Sequence, residues 1–119
     1  MLQSSFSEKR NSQRFPIDID ADYYDPSFNE MVKTHTIDIS AQGLCLIAQR
    51  ELPTDTFLDV FLRVNGGNKK IYSRGRVVWH KIMESGRYRT GVRLEGQKLD
   101  PIPIVLKAVM ARKNIYPPS

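Results

Sequence analysis

Phe57-Leu58-Asp59-Val60-Phe61-Leu62-Arg63-Val64, followed by Asn65-Gly66-Gly67-Asn68, is the stretch that decides the fold. Leu58, Val60, Leu62 and Val64 fall on one face and Asp59 and Arg63 on the other, the period-2 pattern of a strand with one side buried. The Asn-Gly-Gly-Asn run tolerates positive φ, so the chain reverses there as a hairpin. The return strand is long, from Lys69 to about Met83, and Glu84-Ser85-Gly86 turns it into another strand, Arg87 to Glu95. Working back from the hairpin, Pro16 to Tyr24 is a first run, closed by Asp25-Pro26-Ser27. Met31 to Ile39 is a second, stopping at Ser40. Gly43 to Ala48 is a third, ended by the polar loop around Pro53-Thr54-Asp55. Six short strands at this spacing predict an antiparallel sheet closed, or nearly closed, into a barrel over residues 15–98.

The two ends of the chain have other patterns. Residues 1–14 are polar and carry no apolar period, which predicts a mobile N-terminal arm. After Asp100-Pro101, the residues Ile102, Val105, Leu106, Val109 and Met110 recur at steps of three and four, with Lys107, Arg112 and Lys113 between or after them. An acid at the start, Pro101 and Pro103 in the first turn, cations at the end and Pro117-Pro118 closing the pattern predict an amphipathic helix within 99–119. Its stripe would cap an open side of the barrel, or alternatively meet a second copy in a dimer.

With 119 residues, 40% of them hydrophobic and 26% charged, the composition fits one soluble domain with one core. No apolar run approaches the roughly 20 residues of a membrane-spanning helix. The N-terminal Met1-Leu2-Gln3-Ser4-Ser5 has no stretch suited to a secretory signal, so a cytoplasmic location is expected. A lone cysteine, Cys45, offers neither an internal disulfide nor a thiol metal cluster, and it reads as a small packed hydrophobe. The net charge of +5 and pI near 9.5 favour an anionic partner.

Catalysis finds little support. His35 and His80 are isolated within strand patterns, and the chain holds no P-loop, zinc-protease helix or nucleophile elbow. The residues read as a binding module rather than an enzyme, without a cofactor or metal. Two short motifs carry the binding chemistry. Arg10 and Arg14 bracket Asn11-Ser12-Gln13 where the arm joins the first strand. A guanidinium is a permanent cation with a planar fork of donors, able to grip a phosphate or bond bidentately to O6 and N7 of guanine. Asp38-Ile39-Ser40-Ala41-Gln42-Gly43 lies between the second and third strands. In structural terms it is a turn, with Asp and Ser bonding their own backbone and Gly43 in a conformation other residues avoid. In functional terms, an aspartate can accept N1–H and N2–H of guanine, a serine hydroxyl adds a bond, and a glycine admits ligand close to the main chain.

In this order and setting the two motifs resemble those of the PilZ domain family, whose pattern is RxxxR in an N-terminal arm followed by [D/N]xSxxG between early strands of a six-stranded barrel. Arg10 and Arg14 match the first element; Asp38, Ser40 and Gly43 match the second. The resemblance runs from about residue 8 to 114, through Gly75-Arg76-Val77-Val78-Trp79 and Gly91-Val92-Arg93-Leu94. It implies a bacterial receptor for cyclic di-GMP. The two arginines would hold phosphate and guanine, and the Asp-Ser pair would read a guanine edge. Because PilZ proteins without the arginines often fail to bind the nucleotide, their presence here implies competence.

Lys9 would add a third cation to the arm, although solvation is the plainer reading. Trp79 alternates with Val77, which predicts core packing, while its place late in a long strand also suits stacking on a base. Arg74 and Arg76 share the opposite face and should line the barrel exterior. The expected action is closure of the arm over the nucleotide and display of a changed surface to an unidentified effector protein. Two rival readings remain: a basic barrel for RNA or single-stranded nucleic acid, and a PilZ-like scaffold that binds protein alone. Oligomeric state is left open.

Overall fold

The structure, a computed structural model, describes residues 14–64 and 69–95, with only the backbone of Val64 and Lys69. Lys9 and Arg10 of the arm, the hairpin turn at 65–68 and the helix expected within 99–119 all lie outside these residues. Seven strands form: β1 (Phe15–Pro16), β2 (Asp20–Asp25), β3 (Glu30–Ile39), β4 (Gly43–Ala48), β5 (Phe57–Val64), β6 (Lys69–Ile82) and β7 (Tyr88–Leu94). Every pairing is antiparallel. From β3 the ladder passes through β2, β5, β6, β7 and β4 and returns to β3. The expected six-stranded barrel is therefore present and closed.

The run expected as one strand from Pro16 to Tyr24 is broken into β1 and β2, both of which pair along β3. Phe15 lies opposite Ile39 and Asp20 opposite His35, so the register slips by one residue between them. Pro16 has no N–H to donate, and the chain from Ile17 to Ile19 leaves the regular ladder. Thr36 satisfies the backbone groups released there. Its hydroxyl donates to the Ile17 carbonyl at 2.6 Å and accepts from the Ile19 N–H at 3.0 Å. A buried threonine thus does the work of the missing ladder bonds.

Leu58, Val60 and Leu62 of β5 point inward as their alternation predicts, and meet Ala21, Tyr23, Val32, Ile39, Leu44, Leu46, Val77 and Val92. Burying each such Leu or Val contributes roughly 1.5–3 kcal/mol, so this set dominates the stability of the barrel. Tyr23 is wholly buried, with its hydroxyl accepting from the Gln49 N–H at 3.1 Å. Its burial raises the phenol pKa. At the β6–β7 turn, Gly86 has φ 89°, the left-handed conformation that suits a residue without Cβ.

Two further register shifts matter for function. One separates Thr36 from Asp38 in β3, where Thr36 pairs Leu46 and Asp38 pairs Cys45. Thr36 and Ile39, three apart, are both buried, and Asp38 is thereby turned to the outer face. The other lies between Val77 and Trp79, where Val77 pairs Val92 but Trp79 pairs Gly91. The inserted Val78 reverses the alternation, so Trp79, expected in the core by its spacing from Val77, faces outward and is 37% exposed.

Candidate functional site

Because β1 pairs with the end of β3, with Pro16 opposite Asp38, the residue just before β1 is delivered to the outward carboxylate. Arg14 Nη1 lies 2.7 Å from Asp38 Oδ1, joining positions 24 apart in the chain. The two motif halves thus meet through their described members.

The turn after Asp38 is held internally. Ser40 N–H donates to the Gly43 carbonyl at 2.8 Å, and the Ser40 hydroxyl stands 3.2 Å from both the N–H and the carbonyl of Gly43. Gln42 ties the turn to β7 by accepting the Leu94 N–H at 2.7 Å. Gly43 differs from its expected role. Its φ is not positive; what demands glycine is space, since a Cβ would lie 2.2 Å from the Val92 carbonyl oxygen. The residue permits β4 to approach β7, which sets the wall against which the site is built.

Arg14, Ser40, Gln42, Gly43, Trp79, Gly91 and Arg93 line an open cavity of about 150 Å³ on this wall. Trp79 forms part of it by lying over Gly91, where a Cβ would meet the indole Nε1 at 2.1 Å. Gly91 and Arg93 escaped the motif reading. The signal for Gly91 was a glycine inside a strand pattern, which marks close approach by a neighbour. Arg93 had no signal beyond its outward place in β7. Cys45 is buried on the outer face between its register partners Asp38 and Gly91. Burial, and then the nearby Asp38 charge, raises its thiol pKa, so it stays protonated at neutral pH.

The other candidates lie elsewhere. Arg74 and Arg76 line the exterior as expected, Arg74 beside Asp59 at 3.5 Å and Arg76 beside Asp55 and Glu95 at 3.7 and 3.5 Å. His35 faces Asp18 at 3.3 Å and His80 faces Glu51 at 3.5 Å. A larger opening, about 420 Å³, is lined by Asp18, Asp20, Lys33, His35, Arg63 and Arg87 among others and includes no residue of the two motifs.

The described residues thus form a small closed barrel with a cationic and aromatic recess on its outer wall. The comparisons place it further: the PilZ domain model matches residues 8–107, and the chain belongs to that family. PilZ domains are regulatory binding domains, a family of cyclic di-GMP receptors. Two solved structures share the fold. The Bacillus subtilis inhibitor of motility (MotI/DgrA) aligns over 89% of this chain and 52% of its own, at 13% identity and a TM-score of 0.65. The chain thus spans about half the length of that protein. The PilZ domain of CeSA, from a cellulose-synthesizing bacterium, aligns over 83% of this chain and 93% of its own, at 16% identity and a TM-score of 0.54. No curated protein matches the sequence. Among the described residues no helix is long and apolar enough to cross a membrane.

Proposed function

We propose that this PilZ domain binds cyclic di-GMP in the recess beside Trp79 and passes the bound state to a partner protein. The observation that best supports this is the convergence of Arg14, the Ser40–Gly43 turn and an outward tryptophan on one cavity. The ligand offers phosphates and guanines. Arg14 supplies a forked cation for either, and Trp79 an apolar face for stacking.

Size argues for a second wall. The cavity of about 150 Å³ is well below the roughly 300–1,000 Å³ that encloses a drug-sized ligand. In this reading the arm carrying Arg10, with Lys9 beside it, closes over the nucleotide. Charge-assisted bonds to phosphate then offset the entropy lost in ordering the arm. The closed arm presents a new surface, and an effector protein reads it. An extended nucleic-acid footprint fits less well, since Arg63, Arg74 and Arg76 on the outer wall each face a carboxylate within 4 Å.

Isothermal titration of the purified chain with cyclic di-GMP should give saturable heat. Arg14→Ala should weaken binding roughly 10-fold or more, as expected for a lost charge-assisted hydrogen bond. Absence of heat, or unchanged affinity in the variant, overturns the reading.

A further inference from the structure

We infer that the outer face of β7, with the end of β6 beside it, is a docking surface for a short protein segment, acidic along most of its length and basic at one end. For the existence of a partner this rests on the proposed signalling, to which it adds a place and a chemistry. The sequence from Val77 to Leu94 holds one acid, Glu84, against Lys81, Arg87, Arg89 and Arg93. Thr90, Val92 and Leu94 are buried, so alternation sends Arg87, Arg89 and Arg93 to the outer face. Lys81 joins them there as the register partner of Arg89. All four are exposed, and none pairs with a carboxylate among the described residues. Arg63, Arg74 and Arg76 on the other wall are each paired. A line of exposed cations without local partners presents a field that an anionic segment satisfies.

The two ends of this line narrow the choice of partner. Arg93 borders the recess beside Trp79, and Arg87 borders the larger opening of about 420 Å³, where Lys33 is a further exposed cation. From Arg87 to Arg93 is roughly 20 Å of extended strand. Arg87 and Arg89 stand roughly 6.6 Å apart along it, the repeat of alternate side chains on an extended peptide, so acids at every second position meet them in turn. Across the opening the sign changes. Asp18 and Asp20 line it there, and Asp20 pairs with no cation among the described residues. A uniform polyanion, such as a nucleic-acid backbone or an anionic lipid surface, sets charge against those two acids. A protein segment with acids over β7 and a lysine or arginine near Asp20 meets no such conflict. Lying there, it also borders the recess, where it can sense whether the arm has closed.

A fluorescein-labelled peptide of repeated Glu-Ser pairs ending in two lysines tests this by anisotropy with the full chain, at low salt where exposed charges are least screened. The wild-type chain should bind it, with amide NMR shift changes centred on Lys81, Arg87, Arg89 and Asp20. Arg87→Gln/Arg89→Gln should weaken binding about fivefold or more, the loss of two exposed ion pairs. Arg74→Gln/Arg76→Gln on the other wall should leave it within about twofold, and a peptide with serines in place of the lysines should bind more weakly. Thermal melts check that each variant is folded. Absence of peptide binding, shift changes elsewhere, or equal losses in the two double variants overturns the inference. So does indifference to the lysines, or tighter binding of a thymidine oligonucleotide of matching length or of phosphatidylglycerol vesicles. Cyclic di-GMP heat, measured on the same proteins, separates the two readings. It should stay within about threefold in Arg87→Gln/Arg89→Gln, since neither arginine lines the recess. Heat without peptide binding removes the docking surface alone, and peptide binding without heat removes the nucleotide reading alone.

Discussion

The outer wall of the barrel has two sides built from the same kind of strand. On the β5–β6 hairpin, pairing runs without interruption from Phe57–Arg76 to Val64–Lys69. Phe57, Asp59, Phe61, Tyr72 and Arg74 form a regular outer ladder there: Phe61 and Tyr72 rings sit 5.2 Å apart, Arg74 lies over Phe57, and the Tyr72 hydroxyl donates to Asp59 at 2.6 Å. On the side of β3, β4, β7 and the last third of β6, the register shifts before Asp38 and again before Trp79, and two glycines let neighbours approach closely. Regular alternation builds a wall whose side chains satisfy one another. The interruptions turn an acid and an indole outward where alternation would have sent them in, and the recess forms there.

The contrast is strongest in the core beneath both walls. Leu62→Ala should destabilise the fold by roughly 2–5 kcal/mol, measured by urea unfolding, with nucleotide affinity of the folded fraction unchanged. A comparable loss of affinity in folded protein would break the separation between scaffold and site. On the shifted side, Trp79→Ala should weaken cyclic di-GMP binding by about 1–3 kcal/mol, the range for losing a stacked base, while the melting temperature moves little. A large stability loss with unchanged affinity would return Trp79 to a packing role.

The smallest effect concerns the two tyrosines with raised pKa. Burial raises Tyr23 and the hydrogen bond to Asp59 raises Tyr72. For each, the folded state holds its proton above the unfolded pKa of about 10, so the contribution to stability is complete below that pH and is lost as pH rises through the folded pKa. Unfolding midpoints should fall on the alkaline side, and ultraviolet titration should show Tyr23 ionising together with unfolding. Tyr72→Phe should leave most of that alkaline fall in place; if it removes the fall, the exposed ladder and not the core controls it.

Much of this architecture was legible because alternation is a local signal. Leu58, Val60 and Leu62 announced their face, and the Glu84-Ser85-Gly86 turn announced its reversal. The first run could not be read as two strands, because its break depends on Thr36, from another strand, accepting and donating where the ladder lapses. Trp79 stayed open between core and surface for the same reason: Val78 looks like any strand residue until its partner strand is known. The motif residues were legible as chemistry, but the engagement of Asp38 with Arg14 and of Ser40 with Gly43 depends on atoms that spacing alone does not locate. Gly43 was legible as a required glycine, though the requirement comes from Val92 across the sheet rather than from its own φ.

Closure of the ring between β3 and β4 has a consequence for how this domain communicates. A sheet with a free edge can be recruited by a partner that lays down an additional strand, and can also join wrongly to other copies. Here each of the six strands around the barrel is hydrogen-bonded to a neighbour on either side over part of its length. An effector acting as proposed would recognise this domain by side chains and by the shape of its surface, and a segment closing over the recess would change that surface without disturbing the barrel.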